Sequence, residues 1–167
     1  MAALLPINVL AADLPVFEFD SADGGIISST DWAGKTVLVV NAASRCGFAP
    51  QYDALQDLHE THADAGLIVL AIPSDDFQQE LDTIDQVKEF CELNFGLTLP
   101  MTDITHVIGD NAHPFYQWMR DEHDFEPQWN FNKVLFGPDG ELIGTWGSIV
   151  TPDSPEITGA ITDALSS

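Results

Sequence analysis

Cys46 lies in the run Val37-Leu-Val-Val-Asn-Ala-Ala-Ser-Arg-Cys46-Gly-Phe-Ala-Pro-Gln-Tyr52. There an apolar, β-branched stretch breaks into small and polar residues just before a helical pattern begins. A thiol at such a place lies near the unpaired N–H groups of a helix's first turn, which favour its anion. Arg45 adds a full positive charge one residue away. The expected chemistry is that of a reactive thiolate. The competing reading is a small buried cysteine that only packs, as free cysteines commonly do. Against it, Arg45, Gly47 and Pro50 suit a turn on a surface, and a cation resists burial without a partner. The other cysteine, Cys91, follows Ile84, Val87 and Phe90 at helical spacing, on an apolar face where a packed residue would sit. Two cysteines are too few for a disulfide scaffold, which leaves redox chemistry or packing. The histidines show no ligand-like grouping beyond His59 and His62, which read as helix surface, so neither metal nor cofactor is expected.

The elements that must position these thiols can be read in order. Val16-Phe-Glu-Phe-Asp20 alternates, and Gly24-Gly25 turns it towards Ile26-Ile27, predicting a hairpin. Thr30 to Gly34 reads as a connecting turn. Val37 to Val40 and Leu67 to Ile72 are central strands, the second stopped by Pro73. Between them Tyr52, Leu55, Leu58 and His59 mark a helix over Gln51 to Ala63, ended by Gly66. A helix carries Ile84 to Cys91 and finishes near Gly96; another covers Pro114 to Arg120. Val134-Leu-Phe136 and Leu142 to Trp146 flank a Pro138-Asp-Gly140 turn, and Pro155 to Leu165 closes the chain as a helix. This order predicts a layered α/β domain around a central mixed sheet.

With 167 residues, 45% of them apolar, the chain is expected to form one domain with a proper core. Residues 16–167 are assigned to it. Residues 1–15 read either as a loose leading segment or as a clipped export signal, since Val9-Leu10-Ala11 passes for a cleavage site while Pro6 interrupts the apolar stretch. The compartment, cytoplasmic or periplasmic, stays open with it. Twenty-seven acidic residues stand against 5 basic ones, a net charge of −22. Such a surface argues against nucleic acid and anionic membranes as partners. It would suit a salty environment, where screening reduces self-repulsion.

The residues Asn41-Ala-Ala-Ser-Arg-Cys-Gly-Phe-Ala-Pro-Gln-Tyr52 resemble the peroxidatic motif of the glutathione peroxidase family, in its cysteine form. Three segments in the same order extend the resemblance. They are Ile72-Pro-Ser-Asp-Asp-Phe-Gln-Gln-Glu80, Glu89-Phe-Cys-Glu-Leu-Asn-Phe-Gly-Leu-Thr-Leu-Pro100 and Trp129-Asn-Phe-Asn-Lys133, the last followed by Gly-Pro-Asp-Gly140. Together they implicate nearly the whole chain from Phe17. The fold implied is thioredoxin-like, with an N-terminal β-hairpin and an insertion. The catalytic set implied is Cys46, Gln79, Trp129 and Asn130, with Arg45 and Lys133 in support.

Gln79 is chosen because it precedes Glu80 as the family's glutamine does. The loop is one residue shorter than the family's Phe-Gly-x-Gln-Glu-Pro-Gly and lacks its glycines, which leaves Gln78 as the alternative. Cys91 matches the resolving cysteine of the thioredoxin-dependent branch. The resemblance thus implies a thiol peroxidase acting on hydrogen peroxide and small organic hydroperoxides. Cys46 would be oxidised to sulfenic acid and condense with Cys91, and an external dithiol would reduce the disulfide. Because Cys91 sits on a helix face, that helix is expected to loosen during the cycle. A thioredoxin-like protein is favoured over glutathione as reductant: a resolving cysteine makes glutathione unnecessary, and an anionic tripeptide is repelled by the surface charge. The same thiols would serve a redox sensor or relay, and the fold alone an inactive interaction module. The short segment between Pro114 and Trp129 leaves little room for the long loop by which larger family members assemble, so the resemblance implies a monomer.

Overall fold

Two continuous apolar runs decide the architecture. In the computed structural model, which describes residues 14–167, β3 (Thr36–Ala42) and β4 (Leu67–Pro73) pair in parallel, Thr36 opposite Leu67 and Asn41 opposite Ile72. Both are buried along nearly their whole length, as strands covered on two faces must be. β5 (Lys133–Phe136) adds antiparallel to the other edge of β3, with Val40 opposite Lys133, and β6 (Leu142–Trp146) follows it through the expected turn. The sheet order is β4-β3-β5-β6. A separate two-stranded hairpin, β1 (Glu18–Asp20) and β2 (Ile26–Ser28), precedes it, and Ser29–Trp32 is a short 3-10 turn where a simple connection was expected.

Successive side chains of each strand point to opposite faces, so the sheet separates two cores. On one face Leu38, Val40, Ala42, Val69, Ala71 and Leu135 pack under α1 (Gln51–His62), α2 (Ile84–Phe95) and α4 (Pro155–Leu165). On the other, Val37, Val39, Leu70, Ile72, Val134 and Phe136 meet α3 (Pro114–His123), Trp32 and the hairpin's Phe17 and Phe19. Both cysteines belong to the first face.

α2 is fastened at both ends. Thr83 and Gln86 form a reciprocal capping box, and Gly96 closes the helix in the left-handed region at φ 58°. No helix among the described residues is long and apolar enough to cross a membrane. The segment read as a leader or export signal falls almost wholly outside the described residues.

Candidate active site

The connection between β3 and α1 turns repeatedly over residues 44–50 before the helix begins, so Cys46 lies a turn ahead of the helix rather than in its first turn. Here the structure departs from the surface-turn reading. Arg45, Gly47 and Pro50 are exposed as expected, but Cys46 between them points inward and is only 5% exposed. A tight turn alternates inward and outward positions without a helical or strand period, so composition alone did not reveal this. The Phe48 N–H points at Cys46 Sγ from 3.4 Å, a local donor to the sulfur. The Arg45 side chain is directed to solvent, while its N–H donates to the Gln79 carbonyl at 2.8 Å. That bond ties the cysteine loop to the segment after β4.

Gln79 and Asn130 meet. Asn130 is fully buried, and its Nδ2 donates to Gln79 Oε1 at 3.3 Å. This leaves the Gln79 amide nitrogen without an intramolecular acceptor, free to donate elsewhere. Gln78, the alternative, is exposed and held by a turn in which its N–H donates to the Asp75 carbonyl. Its φ of 61° is left-handed, at the place where the resembled loop carries glycine. Trp129 is exposed and packs against Phe77 with ring centroids 5.3 Å apart. Its carbonyl receives Asn41 Nδ2 at 2.9 Å and Asn132 Nδ2 at 3.0 Å. Asn41, at the end of β3, thus fixes the Trp129-Asn130 loop against the strand that leads to Cys46. Phe131, also left-handed at φ 60°, donates its N–H to the Asn41 carbonyl, and its ring meets Tyr52 edge-on at 5.2 Å.

Lys133 stands apart from this group. It is fully buried, and its ammonium donates to Gln51 Oε1 at 2.7 Å and to the Val150 carbonyl at 2.6 Å, with the carbonyls of Gly147 and Ser148 at 3.4 Å. Burial pulls its pKa down to about 8, although four oxygens around it call for the proton. Its charge therefore joins the start of α1 to the 147–150 segment. Ser148 extends that link, donating from Oγ to the Asn130 carbonyl at 2.6 Å.

Cys91 is buried on α2 beside Val87, and both cysteines carry free thiols. Burial pushes the Cys91 thiol up to about 12. Around it lie Ser44, Tyr52 and Glu80, which the motif reading did not assign a role. Glu80 is a buried carboxylate, 4% exposed, in a chain with so many acids that nothing in the sequence marked it as buried. Its Oε1 receives the N–H of Ser44 at 3.1 Å and of Leu81 at 2.8 Å, and burial raises its pKa despite those bonds. Among the described residues no group of three or more His, Cys, Asp or Glu side chains is placed to hold a metal ion.

Known proteins similar to this chain share one family name. A family model described as glutathione peroxidase matches residues 16–120. The hydroperoxy fatty acid reductase of Synechocystis is 36% identical over 148 residues, covering 82% of this chain and 88% of its own. A glutathione peroxidase-like peroxiredoxin of Schizosaccharomyces pombe is 37% identical over 139 residues, covering 80% and 88%. The crystal structure of Trgpx in its apo form superposes with a TM-score of 0.70 at 30% identity, over 90% of this chain and 93% of that one.

Proposed function

Because the chain belongs to the glutathione peroxidase family, with its thioredoxin-like fold, we propose that it is a thiol peroxidase cycling through a Cys46–Cys91 disulfide. The observation that carries this reading is the convergence of two free thiols in one core with a Gln79–Asn130 pair tied to the Cys46 loop. The Cys46 sulfur attacks one peroxide oxygen; an S–O bond forms, the O–O bond breaks, and the departing hydroxide or alkoxide takes up the proton the thiol released, leaving as water or alcohol. Neutral donors serve that departure without neutralising the attacking sulfur: the Gln79 amide, the second Asn130 N–H and the Trp129 indole. Arg45 contributes through its backbone bond to Gln79, and Lys133 by holding the loops beneath Asn130.

The inward thiol favours small peroxides. Hydrogen peroxide and short organic hydroperoxides enter uncharged, whereas a fatty-acid carboxylate meets a protein of net charge −22. A thioredoxin-like dithiol is the proposed reductant, and the protein is taken as a monomer.

The test is a steady-state assay with thioredoxin, thioredoxin reductase and NADPH. Sustained NADPH loss on adding peroxide is expected. A single stoichiometric oxidation would instead indicate a sensor, and no thiol loss an inactive module. Cys91→Ser is expected to consume one peroxide and then stop; normal cycling would remove Cys91 from the mechanism.

A further inference from the structure

One polar cluster beside the site takes no part in the peroxide step. Ser44, Tyr52, Glu80 and Cys91 are 5%, 0%, 4% and 1% exposed. Ser44 Oγ, Tyr52 Oη and Glu80 Oε2 are buried and make no hydrogen bond. A buried polar atom left without a partner is costly, so three in one cluster require a reason. Backbone N–H groups hold Glu80 by Oε1, which leaves Oε2 as the uncommitted oxygen. The Ser44 backbone N–H sits 3.1 Å from that carboxylate, and the unpartnered Ser44 hydroxyl influences both Glu80 and the Cys91 thiol, which places it near each without a completed bond to either. The Tyr52 hydroxyl faces the same thiol.

We propose that Glu80 accepts the Cys91 proton, relayed by the Ser44 hydroxyl, when Cys91 resolves the oxidised Cys46. This rests on the thiol peroxidase reading. The thiol gives its proton to Ser44 Oγ as Ser44 gives its own to Glu80 Oε2. The Cys91 sulfur then attacks the Cys46 sulfenic sulfur. The S–S bond forms and the S–O bond breaks. The departing hydroxide takes the proton from Glu80 and leaves as water. No outside oxidant or reductant enters this step, and Glu80 returns to its starting state.

The electrostatics explain why an acid is buried there. Burial first, and then the Glu80 charge itself, keep Cys91 protonated, so it needs an acceptor at neutral pH. Burial also raises Glu80, and the nearby Asp75 carboxylate, which receives the Glu80 N–H at 3.1 Å, raises it further against the bonds from Ser44 and Leu81. Both shifts bring the carboxylate closer to a thiol's proton affinity. Tyr52 stays neutral through burial, and Cys46 borders the same space. A low-dielectric pocket resists a second negative charge. The relay moves one charge from carboxylate to sulfur and creates none. Ser44 is two residues from Cys46 in the same loop, so the relay sits on the segment that carries the sulfur Cys91 must reach as α2 loosens.

The experiment is rapid-quench measurement of both steps after one equivalent of hydrogen peroxide, across pH 6 to 10. Sulfenic acid is trapped with a dimedone probe, and the disulfide is read by peptide mass mapping. Wild type is expected to form the disulfide at a rate nearly flat in pH. Glu80→Gln keeps an acceptor oxygen for the two backbone N–H groups; it is expected to form sulfenic acid normally and resolve about 100-fold more slowly at pH 7. Its rate should then climb about tenfold per pH unit as hydroxide replaces the carboxylate. Ser44→Ala keeps the backbone N–H that holds Glu80, and it is expected to show the same climb, which covers the case of a poorly folded Glu80 variant. An unchanged rate in both variants, or a loss equal at every pH, overturns the relay. Absence of any sulfenic acid in wild type overturns the peroxidase reading itself.

Discussion

If Cys91 must leave its packed position to reach Cys46, weakening α2 should speed the disulfide step while lowering overall stability. Thr83→Ala is the cleanest perturbation. It removes the side chain that accepts from the Gln86 N–H at 3.2 Å, and so dissolves half of a capping box. The other half, Gln86 Oε1 receiving the Thr83 N–H at 3.2 Å, remains. Losing such a cap costs about 1 kcal/mol, within a usual span of about 0.5–2. With RT about 0.6 kcal/mol, that raises the open population about fivefold, provided opening precedes attack. For a chain of this size the same loss lowers Tm by about 2–4 °C. Stopped-flow or rapid-quench kinetics after one equivalent of peroxide read the rate, and calorimetry reads the stability. The expected outcome is faster disulfide formation, with the rate of sulfenic acid formation unaltered because Cys46 lies on another element. A Tm that falls while the disulfide rate stays the same would refute the requirement for helix opening.

Other outcomes follow from particular groups. For Asp76, burial opposes ionisation, but the bond to His106 at 2.7 Å and the N–H groups of Val107 and Ile108 outweigh it and hold the carboxyl below its ordinary range. A depressed folded pKa adds stability above the unfolded value of 3.8 that is lost as pH falls through the folded one. The stability gap between wild type and Asp76→Asn in urea titrations should therefore be full at neutral pH and close in acid; a gap independent of pH would contradict this. Lys133 runs the other way: between about 8 and its ordinary 10.5 the unfolded chain holds a proton the folded one lacks, so stability rises with pH there. Lys133→Met should lose that rise, and retention of it would assign the effect to another group. Thermal unfolding should shift upward between 0.1 M and 1 M salt, as screening shrinks from about 10 Å to 3 Å around a net charge of −22; indifference to salt would show that self-repulsion is unimportant.

The fold was legible where periodicity is strong. α1 and α4, the paired strands β3 and β4 and the β5–β6 hairpin fall within a residue or two of the ranges read from apolar spacing and turn residues. β3 runs on through Asn41 and Ala42, which look like the end of a strand in sequence, because β4 continues to pair beside them. The site was less legible. Asn130 and Gln79 were named from motifs, but their hydrogen bond joins residues 51 positions apart. Lys133 gave no sign of its oxygen cradle, since the acceptors come from α1 and the 147–150 segment. Glu80 entered the sequence reading only as the residue after Gln79; its burial was hidden among 27 acids, and only packing distinguishes a buried carboxylate from a solvated one.

The most direct measurement treats the reduced protein with one equivalent of hydrogen peroxide, blocks remaining thiols, and maps the oxidised positions by mass spectrometry. Sulfenic acid appearing first on Cys46, then giving way to a Cys46–Cys91 disulfide, is the predicted sequence. Recovery of Cys46 as an unmodified thiol after the peroxide has been consumed would contradict it.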